Sequence, residues 1–192
     1  MRFTLILAAI VLAACGSTRT HTTRPSGTRE LLDETTGNTV SVVSTPLIFA
    51  RERTDVAAHA RDYATLVATE IDQSGTFQDY LLLYRWSTVD RRMSPPPTVE
   101  QGQLRILAQG RAFDLKPLDF MPTGLDHRRE LHLPPHGDVV AHAYSVTVET
   151  LRFIAQSESL SVKMPQESLD APFTLWQDGR AALLEFTHSA GP

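Results

Sequence analysis

Between residues 63 and 89 two apolar, β-rich runs flank one tight turn, Gln73-Ser74-Gly75-Thr76, and no other stretch constrains the fold as strongly. Leu66, Val67 and Ile71 lead into the turn, and Phe77, Tyr80, Leu81, Leu82, Leu83, Tyr84 and Trp86 leave it. Strand-like runs around a Ser-Gly pair read as a long antiparallel hairpin. The second arm is apolar on both faces near Leu82, which suits a central strand rather than an edge. Trp86, and Trp176 near the C-terminus, lie within apolar strands and are expected in the core.

The rest of the chain supplies further strands around that hairpin. Val40, Val42, Leu47, Ile48 and Phe49 make one strand or two short ones, interrupted at Pro46 because proline tolerates only edges and bulges. Residues 54–61 carry helical composition over barely two turns, so a short helix and a loop fit equally. Leu104, Ile106 and Ala108 alternate with polar residues, turn at Gln109-Gly110 and return through Ala112, Phe113 and Leu115 as a second hairpin. Val139, Val140, Tyr144, Val146 and Val148 read as a strand, residues 149–156 as a helix, and Leu160, Val162 and Met164 as another strand. Phe173, Leu175 and Trp176 form a last strand before a helix over 180–188, with Leu183, Leu184, Phe186 and Thr187 on its buried face. Strands dominate, so the expected class is α+β: a mainly antiparallel sheet of hairpins with two short helices in the C-terminal third. Residues 116–137 are rich in Pro, Gly and charge and hold no convincing element. Long irregular segments in compact domains are usually functional or disordered, which makes this the first place to look for a site.

The N-terminus has a different logic. A single positive residue, Arg2, precedes the apolar run from Phe3 to Val11, and small residues follow. This is the pattern of a secretory signal peptide, and the run is too short for a membrane span of roughly 20 residues. Leu12-Ala13-Ala14-Cys15 resembles the lipobox of bacterial lipoproteins. That resemblance implies acylation of Cys15, which would become the first residue of the mature protein. Gly16, rather than Asp, in the next position resembles an outer-membrane address in the enteric-type sorting rule. Each buried methylene of an acyl chain adds about 0.8 kcal/mol, so two or three chains would hold the protein to the bilayer permanently. Residues 16–29 lack large apolar side chains and read as a flexible tether with roughly 20 Å of reach. The expected organisation is a signal peptide over 1–14, the lipidated Cys15 and tether over 15–29, and one globular domain over 30–192.

Composition narrows the chemistry. Removing residues 1–14 leaves 17 basic against 22 acidic side chains, a net charge of −5, and no basic excess that would argue for nucleic acid. Cys15 is the only cysteine, so its acylation excludes an internal disulfide, a cysteine nucleophile and a thiolate metal site. No G-x-S-x-G elbow and no glycine-rich phosphate loop occurs. His127, His132, His136 and His142 fall within sixteen residues beside Asp126, Glu130 and Asp138, a donor set that suits zinc. The spacing matches no standard ligand pattern, and Pro134-Pro135 prevents His132 and His136 from sharing a helix face; surface histidines in a polar loop are the plainer reading. Asp62, Glu70, Asp72 and Asp79 could in principle pair for glycoside hydrolysis, but charges on hairpin faces usually alternate toward solvent. The pairs Arg51 and Arg53, Arg91 and Arg92, and Arg128 and Arg129 could grip anionic headgroups or an acidic polysaccharide, or be solvated loop charges.

Glu34-Thr35-Thr36-Gly37, residues 46–53 (PLIFARER), Arg61-Asp62-Tyr63 and residues 86–90 (WSTVD) resemble motifs of small proteobacterial lipoproteins with no assigned activity. The resemblance covers residues 33–92 and the strand–turn–helix of 174–186, and implies location and class but no catalytic residue. The expectation is therefore a lipoprotein of the periplasmic face of the outer membrane. It would hold the bilayer through Cys15 and bind an envelope protein through a sheet edge or residues 116–137, with no cofactor. The alternative is a metal-dependent envelope enzyme using His127, His132, His136 and His142.

Overall fold

The computed structural model describes residues 27–89, 102–125, 139–165 and 171–190. In chain order these form β1 (Thr28–Leu32), β2 (Thr39–Val43), β3 (Leu47–Glu52), β4 (Arg61–Gln73), β5 (Thr76–Ser87), β6 (Leu104–Ala108), β7 (Arg111–Leu115), β8 (Val140–Ser145), α1 (Val148–Gln156), β9 (Leu160–Lys163), β10 (Phe173–Gln177) and α2 (Arg180–Ser189). The class is α+β with mainly antiparallel pairing. Cys15, His127, His132 and His136 lie outside the described residues, as do Arg91, Arg92, Arg128 and Arg129.

The β4–β5 hairpin is paired continuously from Asp62–Ser87 to Gln73–Thr76. Ser74 and Gly75 both take positive φ (55° and 91°), the two-residue geometry whose twist matches that of the strands. The Asp72 carboxylate accepts the Gly75 N–H at 2.6 Å and pins the turn. Gln109 and Gly110 repeat the device between β6 and β7.

One edge of β4 serves two strands in succession. Val42 pairs with Thr69 and Leu47 with Leu66, so the β2–β3 side spends two more residues than β4 does over the same span. Pro46, with no N–H to offer, sits in that surplus, as the sequence indicates. Beyond the break the sheet divides. β2 takes β1 as its outer neighbour, whereas β3 takes β10, followed by β9, β6 and β7. On the other edge of the hairpin lies β8. The far arm then curls back to β8: Leu118 N–H donates to Ala143 O at 2.8 Å, and the Tyr144 hydroxyl donates to Gly102 O.

Residues directly opposed in antiparallel strands share a face. One face therefore carries Phe49, Leu66, Leu83, Tyr144, Phe173, Val162 and Ile106, all buried. Phe113, opposite Ile106, meets Phe153 of α1 at 5.5 Å, which places α1 on this enclosed face. α1 and α2 are tied where Arg152 Nη2 donates to Thr187 O at 3.0 Å. The opposite face of the hairpin is covered by the segment ending at Leu125, whose carbonyl accepts the buried Tyr84 hydroxyl. Coverage on both sides explains the unbroken burial of residues 64–71 and 80–85. Each large apolar side chain so enclosed contributes about 1.5–3 kcal/mol.

The structure departs from the sequence expectation at several points. β1 begins at Thr28, within the expected tether, and its hydroxyl meets that of Ser189 at the end of α2 (3.0 Å). β8 ends at Ser145, and Val148 opens α1 because the Thr147 hydroxyl accepts the Thr150 N–H and caps the helix. Leu184 of α2 is only partly buried, while Leu183, Phe186 and Thr187 are buried as expected. Trp176 is not a core residue. β10 pairs Leu175 with Phe49 but Gln177 with Ile48, and this bulge leaves Trp176 as the extra residue, 57% exposed.

Gly179 is held tightly at the start of α2. A Cβ there would lie 2.5 Å from both the Thr45 and Pro46 carbonyl oxygens, in the break between β2 and β3. Gly179→Ala is therefore expected to cost about 1–3 kcal/mol, as overpacking does. In urea denaturation the midpoint should fall with the slope unchanged.

Candidate functional site

Two polar constellations stand out among the described residues. The first is buried on the enclosed face, where the start of β4 lies between β3 and β5. Asp62 sits directly between Arg51 and Ser87 in the ladder. Its Oδ2 accepts from Arg51 Nη2 (2.9 Å) and Arg53 Nη1 (3.2 Å), and its Oδ1 accepts from the Ser87 hydroxyl (2.7 Å). Arg53 also forks onto Asp55 through Nε and Nη2, both at 2.9 Å. That hydrogen bonding raises the Arg53 pKa and lowers that of Asp55. The Arg51 guanidinium lies 4.2 Å over the Phe173 ring. These arginines are thus enclosed rather than solvated.

Arg85, two residues before Ser87 on the same face, is buried as well. Burial, followed by repulsion from Arg51, pushes its pKa down to about 10. Tyr144 is shifted upward by burial. His142, opposite Leu83, is the one member of the proposed histidine set that the structure places. It is 8% exposed, packed against Gly102, and its Nε2 has no hydrogen-bond partner among the described residues. Burial and the neighbouring Arg85 charge lower its pKa. A guanidinium beside an imidazole repels a second cation, and no group of three potential metal ligands forms among the described residues. The contacts of Asp62 with Arg51 and Ser87 tie β3, β4 and β5 together.

A lowered histidine pKa makes a pH signature. As pH falls below about 6.5 the unfolded chain takes up a proton that folded His142 refuses, so stability falls until the folded pKa is passed. His142→Gln should flatten the pH dependence of the urea midpoint between pH 7 and pH 5 relative to the parent protein.

The second constellation is an open groove of about 1240 Å³ at the other end of the hairpin. Its walls come from the hairpin tip, residues 118–123, the start of α1 and the end of α2. Residues 116–125, the described part of the irregular segment, do line it, through Leu118, Phe120, Pro122 and Thr123. Phe77 and Phe120 also line the groove and remain 41% and 74% exposed. Thr36, Asn38, Gln73, Gln78, Ser145 and Thr147 offer amides and hydroxyls between them.

Two carboxylates in the groove are driven apart in pKa. Burial and the nearby Glu149 charge raise Asp79, whose Oδ1 is buried without a hydrogen-bond partner among the described residues. Glu149, in the first turn of α1, is held lower by its own backbone N–H and by Thr147. The arrangement shifts one carboxyl toward the hydrogen-bond-donating form beside a neighbour that accepts. Asp79 was not singled out from its sequence neighbours because its role depends on α1, seventy residues downstream. Of the other hairpin acids, Glu70 is buried opposite Asp79 and Asp62 is consumed by arginines, so solvent-facing alternation fails on this face.

No protein-family model, curated protein or solved structure matches this chain.

A raised carboxyl costs stability only where the unfolded chain is ionised and the folded group resists ionisation. That cost is absent well below pH 3.8 and fully present once pH exceeds the folded pKa. Asp79→Asn should therefore raise the thermal midpoint at pH 7, with the gain shrinking as pH approaches 3.

Proposed function

We propose that this chain is a lipid-anchored binding module of the bacterial cell envelope, and that it engages an extended segment of an envelope protein in the groove. The anchor rests on Leu12-Ala13-Ala14-Cys15 behind its short apolar run. The binding role rests on one observation above all. Phe77 and Phe120, from different elements, present large apolar surfaces to solvent within one groove that also offers the amides and hydroxyls of Thr36, Asn38, Gln78 and Ser145. Apolar anchors inside a polar surround are the usual anatomy of a recognition surface. The carboxyl oxygens of Asp79 and Glu149 would accept hydrogen bonds from the backbone or side-chain amides of a docked segment. No helix among the described residues is long and apolar enough to cross a membrane, so on this reading attachment depends on the acyl chains.

The test uses a photo-crosslinking side chain at position 120 in intact cells, with palmitate labelling in parallel. The expected outcome is one reproducible protein adduct that is lost in Phe77→Ala, and label that is lost in Cys15→Ala. Adducts indifferent to Phe77→Ala would remove the groove from the reading. Palmitate incorporation surviving Cys15→Ala would remove the anchor.

A further inference from the structure

We propose that the corner formed by Arg61, Tyr63, Trp86 and Trp176 is a second membrane contact, which seats the domain on the bilayer surface and points the groove away from it. The inference rests on the lipid-anchor reading above. Its own support comes from the outer face of the sheet, at the end of the hairpin opposite the groove.

Tyr63 and Trp86 are directly opposed in the ladder, and their rings stack at 4.0 Å and 10°. Trp176, on the outer face like Thr174 two residues before it and next to the β10 bulge, meets Tyr63 edge-on at 6.3 Å and 83°. The Arg61 guanidinium lies 4.6 Å over the Trp176 ring and also donates to Glu52 at 3.3 Å. Trp86 Nε1 reaches Thr65 at 3.5 Å, whereas the Trp176 indole N–H has no partner among the described residues. A tryptophan left 57% exposed on a sheet face keeps apolar area in water, a free-energy cost that a polar residue would avoid.

The chemistry of the corner matches the headgroup region of a bilayer. Indole and phenol join an apolar body to a hydrogen-bonding tip, and such rings collect where one end is apolar and the other wet. Arg61 can turn from Glu52 toward lipid phosphate while its stem stays on the indole. Tyr63 and Trp86 cover one face of each other, and Arg61 occupies one face of Trp176, so the corner presents ring edges and a cation together.

Charge and chain length agree with this placement. Between Cys15 and Glu30 the only charged residues are Arg19, Arg24 and Arg29, so the connection to the anchor is cationic throughout, as an anionic surface favours. Thr28 pairs with Val43, beside the stretch of β4 near Ala68, about six residues and roughly 20 Å from Asp62 along the strand. The twelve residues between Cys15 and Thr28 can span at most about 40 Å, enough to reach. Tyr63 and Gln73 stand ten residues apart on β4, so a seated corner holds the groove about 33 Å along the strand from the lipid contact.

The test uses the full-length acylated protein in phosphatidylethanolamine–phosphatidylglycerol vesicles, with lipids brominated close to the headgroup as the quencher. Trp86 and Trp176 are the only tryptophans, so the signal is assignable. Bromolipid should quench the parent protein, and the quenching should fall in Trp176→Phe to the part that Trp86 contributes from the same corner. For unacylated Cys15→Ser protein, Arg61→Gln should weaken vesicle binding about fivefold. Protein that carries the acyl chains and floats with vesicles, yet is not quenched, would overturn the seating while leaving the anchor intact. Quenching that is undiminished in Trp176→Phe, or unchanged binding in Arg61→Gln, would also overturn it. Loss of flotation together with an unmodified Cys15 would instead overturn the anchor. A Trp176 signal that answers to soluble glycan fragments and not to lipid would make the corner a sugar site and end the proposal.

Discussion

The backbone ladder between β4 and β5 runs without interruption from Asp62–Ser87 to Gln73–Thr76, and every other element is arranged to complete it. Both outer edges of the pair expose unsatisfied N–H and C=O groups, and burying them unpaired would cost more than the apolar contacts return. β2, β3 and β8 satisfy those edges. Both faces are apolar, so the helices and the segment ending at Leu125 must cover them. The division of the sheet at residues 43–46 follows from the hairpin's length, because no single short strand could line β4 from end to end.

Enclosing polar groups inside such a sheet demands local compensation. Asp62 carries much of that burden, with Arg51, Arg53 and Ser87 all directed at its two oxygens. Removing one partner of a buried ionic group typically costs about 3–5 kcal/mol, because the other charge is left without its counterpart. The network also fixes register. A one-residue slip of β3 against β4 would carry Arg51 and Phe49 to the opposite face and part both arginines from Asp62.

Much of this architecture was legible in the sequence. Ser74-Gly75 and Gln109-Gly110 announce their turns because only a few residue types tolerate positive φ there. Pro46 marks the break for an equally local reason. β1 was not legible, since Thr-Arg-Glu-Leu-Leu at a sheet edge contributes mainly its backbone and shows no apolar alternation. The exposure of Trp176 was not legible because strand composition does not say which face of β10 is covered, and Trp176 shares the outer face of Thr174 and Tyr63. The groove was half visible: residues 116–137 drew attention as an irregular segment, but Asp79 and Glu149 meet only through the fold. Arg51 and Arg53 read as surface charge because their partner, Asp62, lies on another strand.

The contact between Thr28 and Ser189 joins the first strand of the described domain to its last helix. The described residues therefore trace nearly a closed circuit. A circuit has no privileged opening: a short bridge across this seam, with a new cut at Gln109-Gly110, would leave every contact described above in place. The same seam concentrates mechanical consequence. Tension arriving along the N-terminal segment is delivered first to β1, an edge strand, while α2 grips that strand from beside it through Gly27 against Ala182 and Glu185. The helix thus acts as a clasp, and the long hairpin behind it is shielded from the pull until the clasp opens.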